Sequence, residues 1–289
     1  MSANQWNILP YNRVASIAMK NYKDLFMKHD EERFNEFLNK VKKGKAKIAA
    51  SALLPHQIIA SLRDDDGGEV ACLQWQRMVD DISAKGKLKN CLAICDVSWS
   101  MEGIPINVSV ALGLLVSDLS EEPWKGKLIT FSHNPQLQLI QGDNLKSKIE
   151  SVVRMQWNMN TDFQKVFDKI LEVAKEAKLS EDQMIKRLFV FSDMEFDEAS
   201  ENDWETDYEA ITRKFNESGY ESVPEIVFWN LRNSMATPVP SHQKGVAMVS
   251  GFSKNLLKLF LEEGGVLNPV ATMELAISGD EYNKLVVTD

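Results

Sequence analysis

Asp96, Ser98 and Ser100 follow directly on the apolar run Cys91-Leu-Ala-Ile-Cys95 and put three short oxygen side chains into one loop. Such oxygens are hard donors, suited to Mg²⁺, Mn²⁺ or Ca²⁺ rather than to zinc. Two other segments offer the same chemistry. Thr161 and Asp162 precede an amphipathic stretch, and a second apolar run, Arg187-Leu-Phe-Val-Phe191, ends in Ser192-Asp193-Met194-Glu195. Each alone is a weak signal, because Asp-x-Ser-x-Ser arises by chance and an Asp or Thr at such a place serves equally as a helix cap. Together they weigh more, since each falls where a doubly wound sheet gathers its ligands, outside the carboxyl ends of the strands.

An oxygen-only centre with an open coordination position can activate water, but a hydrolase also needs a general base nearby. The four histidines offer little: His29 and His56 fall in helical stretches, His242 in a polar segment, and only His133 follows a strand of the sheet. The sequence has no Gly-x-Ser-x-Gly elbow, phosphate loop or Gly-x-Gly-x-x-Gly turn. Glu195 and Asp197 lie near the third loop and read as solvated or supporting carboxylates rather than bases. Metal-dependent binding without catalysis is therefore expected, with a metal-dependent hydrolase as the alternative.

The elements that must position these residues fall into two groups. Residues 13–28, a stretch capped by Asp30 with Phe34, Phe37 and Val41 in its pattern, residues 54–62 and residues 70–84 show apolar spacing near 3.6 and predict four helices. Val14, Ile17, Met19, Phe26, Phe34 and Phe37 are more apolar groups than four short helices are expected to bury alone. From Cys91 onward strands alternate with helices, the mark of an α/β fold with a parallel sheet. Strands are expected at 91–95, 126–131, 187–191, 225–229 and 245–249, with 136–140 as an antiparallel edge. Helices are expected at 105–119, 145–154, 163–177, 203–217, 253–262 and 270–277. There is no internal repeat and no low-complexity tract. The fold class is thus α/β, a doubly wound and mostly parallel sheet preceded by a partial α-helical segment: residues 1–86 helical, residues 87–289 the α/β domain.

Composition excludes several classes. The chain has 289 residues, 44% hydrophobic and 26% charged, as a globular protein has. No apolar run approaches the ~20 residues of a membrane span, and Met1 to Tyr11 lack the apolar core of a signal peptide. No membrane partner is expected. Cys72, Cys91 and Cys95 form no disulfide framework, so a reducing compartment, cytoplasm or nucleus, is the expectation. A net charge of −9 argues against a general nucleic-acid binder, but residues 1–50 carry ten Lys/Arg against five Asp/Glu, +5, which leaves −14 on the remainder. The basic run Lys40 to Lys47 reads first as a solvated helix end, where cations suit the dipole, and second as a phosphate-binding patch.

Asp96, Ser98, Ser100, Thr161 and Asp193 together resemble the metal-ion-dependent adhesion site of the von Willebrand factor type A domain, and the resemblance runs from about residue 88 to 277. It implies one Mg²⁺ or Mn²⁺ held by the Ser and Thr hydroxyls and, partly through water, by the aspartates. One position stays open for an acidic group, so the implied partner is a protein with an exposed Asp or Glu. Asp162 and Glu195 would stand just behind the ligands. Thr161-Asp162 and Phe191-Ser-Asp-Met-Glu195 are similar to the corresponding loops of the Ro autoantigen (TROVE) proteins, which join a helical RNA-binding ring to a type A domain. That similarity implies RNA binding through the basic N-terminal helices as a further alternative. Pro10-Tyr-Asn-Arg-Val-Ala-Ser16, Met159-Asn-Thr-Asp-Phe-Gln-Lys165, Phe191-Ser-Asp-Met-Glu-Phe-Asp197 and Gly251-Phe-Ser-Lys-Asn-Leu-Leu257 resemble an uncharacterised family of plants and large DNA viruses, distantly similar to Ro. Its members usually carry several hundred further residues before the equivalent of Pro10, so the resemblance implies that this chain holds only the last part of the helical region. One position departs from the family: Trp99 stands between the two serines, where glycine is usual. Either the loop adopts a conformation open to an L-residue and presents the ring to a partner, which makes Trp99 a contact, or the loop is distorted and binds metal poorly.

Overall fold

The structure, a computed structural model, describes residues 5–64, 68–130, 135–155, 163–194, 204–232 and 245–261, with residues 274, 277 and 278. Short 3-10 turns at Trp6–Ile8 and Tyr11–Arg13 lead into helix α1, Ser16–Lys42. The two helices expected on either side of Asp30 are one element with a kink, and Asp30 sits at φ −153°, ψ 44°, outside helical geometry. Its carboxylate accepts a hydrogen bond from Tyr11 Oη at 2.8 Å and one from Arg33 Nη1 at 2.8 Å. Arg33 also donates to the carbonyls of Trp6 and Leu9, both at 2.9 Å, so the chain before α1 is pinned across the kink. Gly44, at φ 68°, closes the helix: its N–H donates to Val41 O, and Lys45 N–H donates to Lys40 O. Only glycine takes that left-handed geometry without strain.

Helices α2, Pro55–Ala60, and α3, Glu69–Ser83, follow. One expectation is corrected here. Met19, Phe26, Phe34 and Phe37 are buried in a cluster of their own with Tyr11, Leu38, Ile48 and Val70, so the helical segment buries four of those six apolar groups internally. Val14 packs against the cluster part-buried, and Ile17 is exposed. The kink explains the result, because it folds the two halves of α1 around Tyr11, whose ring lies 5.3 Å from Phe26 and 5.1 Å from Phe34.

The second group of elements alternates as expected: β1 Cys91–Cys95, α4 Ile104–Leu119, β2 Lys127–Thr130, β3 Leu137–Leu139, α5 Leu145–Arg154, α6 Phe163–Glu176, β4 Arg187–Ser192, α7 Trp204–Glu217, β5 Glu225–Asn230 and β6 Val246–Ser250. The stretch at Lys254–Phe260 is a 3-10 helix, not an α-helix. The helix expected at 270–277 falls mostly outside the described residues. The six strands lie in the order β3-β2-β1-β4-β5-β6, all parallel except β3, which runs antiparallel to β2 at the edge. The fold is therefore a doubly wound α/β sheet.

Period-two alternation sends each strand's residues to opposite faces. Cys91, Ala93, Cys95, Phe189, Phe191, Val227 and Trp229 join one core, and Leu92, Ile94, Leu188, Val190, Ile226 and Phe228 join the other. Helices α6 and α7 cover the second face. The first is covered by α4 and α5, and also by the helical segment: Leu53, Ile58, Leu62, Trp75, Met78 and Ile82 belong to the same continuous core as Leu112, Leu115 and Leu119. Lys254, buried after β6, donates to Ser51 O at 2.9 Å and Leu53 O at 2.5 Å, tying the far end of the sheet to the same segment. No helix among the described residues is long and apolar enough to cross a membrane.

The tightest approach is α4 on β1. A Cβ added at Gly113 would meet Cys95 Sγ at 2.0 Å. Gly113→Ala is therefore expected to lower stability. Overpacking costs about 1–3 kcal/mol, which outweighs the ~1 kcal/mol gained by replacing a helical glycine. Adding Cys95→Ala should restore the loss, because it removes the clashing atom. Urea unfolding of the single and double variants checks this. A single variant more stable than wild type would mean that Cys95 gives way freely.

Candidate metal centre

The chain runs outward from β1 through β2 to β3, then returns to the other side of β1 to lay down β4. The order of strands reverses between β1 and β4, and there the loops leaving two parallel strands part and open a crevice. Both aspartates emerge at this point. Cys95 of β1 is in register with Phe191 of β4, and Asp96 N–H donates to Phe191 O at 2.9 Å. Asp96 is thus brought beside Ser192 and Asp193, although 96 residues separate Asp96 from Ser192. Both carboxylates are buried, Asp96 at 4% exposure and Asp193 at 0%.

Ser98 turns the loop. Its N–H donates to Asp96 Oδ1 at 2.8 Å, an Asx turn that holds the carboxylate over the loop. Ser98 Oγ and Ser100 Oγ lie 2.8 Å apart, so the two hydroxyls face one another. Residues Trp99–Met101 form one 3-10 turn, anchored by Met101 at 0% exposure, while Trp99 is 75% exposed. Outside glycine, left-handed backbone among the described residues occurs at Asn90, Lys178 and Met194 and not at Trp99. The loop thus holds a conformation that an L-residue tolerates, and the indole stands in solvent beside the two serines. The strand's own serine completes the arrangement: Ser192 Oγ donates to Asp96 Oδ2 at 2.7 Å and accepts Met194 N–H at 3.2 Å.

The electrostatics are those of a crowded acidic site. Burial pushes the Asp96 carboxyl up from its ordinary value and the neighbouring Asp193 adds to this, while hydrogen bonds from Ser192 and Ser98 pull it back. Burial pushes the thiols of Cys91 and Cys95 up to about 12, so neither offers a thiolate to a softer metal. Among the described residues no group of three or more His, Cys, Asp or Glu is placed to hold a metal ion. The described donors are two carboxylates and three hydroxyls, all oxygen.

Asp96, Ser98, Ser100 and Asp193 are therefore brought together. Thr161, Asp162 and Glu195 lie outside the described residues, as do His133, Asp197 and His242. His29 stacks on Trp6 at 4.7 Å and His56 meets Phe252 edge-on. Ser192 is the residue sequence reasoning missed. Its signal was a hydroxyl residue directly before the third-loop aspartate, at the last position of a strand whose register fixes it opposite Asp96.

The fold and site thus define a doubly wound α/β domain with an antiparallel edge at β3 and an oxygen-rich cluster at its switch point. The chain belongs to the family of a domain of unknown function, DUF7788, which matches residues 90–285, and a second domain of unknown function, DUF2828, matches residues 1–88. It is 32% identical over 319 residues to the uncharacterized protein L728 of Acanthamoeba polyphaga mimivirus, covering 98% of this chain and 56% of that protein. The chain thus spans about half the length of that relative. Among solved structures it is similar to the Ro (RSR) protein of Deinococcus radiodurans, with a TM-score of 0.45 and 15% identity over 80% of this chain and 48% of that one. It is also similar to the SpRpn10 VWA domain, with a TM-score of 0.35 and 12% identity over 69% of this chain and 100% of that one.

Proposed function

We propose that this chain is a non-catalytic binding module that uses a divalent cation, Mg²⁺ or Mn²⁺, to engage an acidic group of a protein partner. Asp96, Ser98, Ser100, Thr161 and Asp193 would hold the ion, and Trp99 would contact the partner beside it. The observation that supports this is the pairing of two buried carboxylates with two facing serine hydroxyls at the switch point of the sheet. Two adjacent buried carboxylates repel each other, and a hard cation relieves that repulsion while matching every donor in the set. Neutral hydroxyls compensate little charge, so the affinity should be modest.

A hydrolase would need a base beside the ion. The described residues around the switch point supply none beyond the two aspartates already assigned as ligands. RNA binding through the basic run has less support: Lys40 pairs with Glu36 and Lys42 with Glu69, as at an ordinary solvated helix end.

Isothermal titration with Mn²⁺ or Mg²⁺ should reveal one site, abolished by Asp96→Ala or Asp193→Ala. Capture of a partner should need the metal and fail with Asp96→Ala or with chelator. Trp99→Gly should leave metal affinity nearly unchanged and weaken the partner by about 2 kcal/mol or more, the range of an aromatic hot spot. A tenfold gain in metal affinity on Trp99→Gly would instead mark the indole as an obstruction. Robust phosphoester or peptide hydrolysis that needs the same aspartates would overturn the proposal in favour of an enzyme.

A further inference from the structure

We propose that Ser192 is a positioning residue of this centre: its hydroxyl fixes the Asp96 carboxylate in the orientation from which it can serve a cation. The inference rests on the metal-binding role proposed above and assigns a function to a residue outside the expected ligand set.

A hydroxyl has one hydrogen to give and lone pairs to accept with. The Met194 N–H can only donate, and it points at Ser192 Oγ from 3.2 Å. That contact leaves the Ser192 hydrogen for a carboxylate. Asp96 Oδ2 at 2.7 Å is much the better acceptor than Asp193 Oδ1 at 3.5 Å. The direction of the hydrogen bond is therefore set by the backbone. Asp96 Oδ1 is set from the other side by Ser98 N–H. Asp96 Oδ1 thus receives a donor from its own loop and Oδ2 one from the neighbouring strand, and the carboxylate cannot rotate without breaking both. Ser192 is itself 0% exposed, so no water takes its place without rearrangement.

The same hydroxyl supports the backbone that carries the second aspartate. Met194 has φ 67° and is buried, a conformation costly for a residue with a side chain. Its N–H bond to Ser192 Oγ closes a turn of the serine type around Asp193, the residue between them. One side chain therefore orients Asp96 directly and braces the turn that presents Asp193. It spans the two strands whose divergence makes the site.

Threonine keeps the hydroxyl at this strand position, and valine copies the size of threonine without it. Mn²⁺ titration of Ser192→Ala, Ser192→Val and Ser192→Thr separates positioning from packing, and a melting curve for each shows that it is folded. Ala and Val should weaken Mn²⁺ by about tenfold or more, the worth of a charge-assisted hydrogen bond. Thr should stay within about threefold of wild type, since it restores that bond. Val binding Mn²⁺ as well as Thr would overturn the inference, because the hydroxyl would then be dispensable. Thr as weak as Val would overturn it as well. If the wild-type chain itself takes up no Mn²⁺, the metal-binding role fails and this inference fails with it, an outcome distinct from a wild type that binds and a valine variant that binds equally.

Discussion

A chain lacking residues 1–88 should fail to unfold cooperatively and should bind hydrophobic dyes, although the family match to the α/β domain begins at residue 90. The reason is the shared core. Leu53, Ile58, Leu62, Trp75, Met78 and Ile82 cover the outer side of α4 and lie in one continuous cluster with it. Burying a large apolar side chain contributes about 1.5–3 kcal/mol, so these six contribute on the order of 10 kcal/mol. That is comparable with the ~5–15 kcal/mol of net stability of a whole domain. Lys254 would also lose its acceptors at Ser51 and Leu53. Differential scanning calorimetry of residues 89–289 against the full chain is the measurement. A sharp transition near the full chain's midpoint would show that α4 needs no cover.

Trp75→Ala should be among the most damaging single substitutions. The indole is 4% exposed in the core under α4, and its Nε1–H donates to Asp118 Oδ2 at 2.9 Å. Lys148 of α5 holds Asp118 Oδ1 at 2.5 Å, so one carboxylate joins α3, α4 and α5. Removing the ring leaves a cavity, which costs about 3–5 kcal/mol for tryptophan to alanine. It also strips a donor from a largely buried carboxylate, a further ~1–3 kcal/mol. Trp75→Phe separates the two effects, because it keeps most of the packing and loses only the hydrogen bond. Chemical denaturation of both variants should give a clearly smaller loss for phenylalanine. Equal losses would mean that the bond to Asp118 carries the whole effect.

The α/β part was legible because its signals were local. Buried parallel strands write continuous apolar runs such as Leu188 to Phe191, and α5 was expected at the bounds it has, Leu145–Arg154. The antiparallel edge showed as alternation at 136–140. The shared core was not legible, because an amphipathic stripe on α3 says that a face is buried and not what covers it. The kink at Asp30 appeared as two helices, since a capping aspartate and a kinking one look alike in sequence. The stretch at Lys254–Phe260 carries helical spacing, and nothing in its residue types separates a 3-10 from an α-helix. That Asp96, Ser98, Ser100 and Asp193 lie near one another was legible from the residue types and the order of elements, while Thr161, expected with them, lies outside the described residues. Ser192 was hidden, since a serine ending a strand reads as a boundary until the register places it opposite Asp96.

The separation of Asp96 from Ser192 has a consequence for synthesis. The two halves of the centre lie 96 residues apart in the chain. At the ~5–20 residues per second of translation, the first aspartate waits roughly 5–20 s for its counterpart. During that interval β1 can take the cover of the helical segment, made before it, and then of α4 and β2 as they follow, but its other edge stays open until β4 arrives. The last act of assembling the centre of the sheet is thus also the act that creates the ligand set. A nascent chain stalled before residue 187 would carry the Asp96 loop without a centre, and the open edge of β1 as the surface most exposed to misassembly.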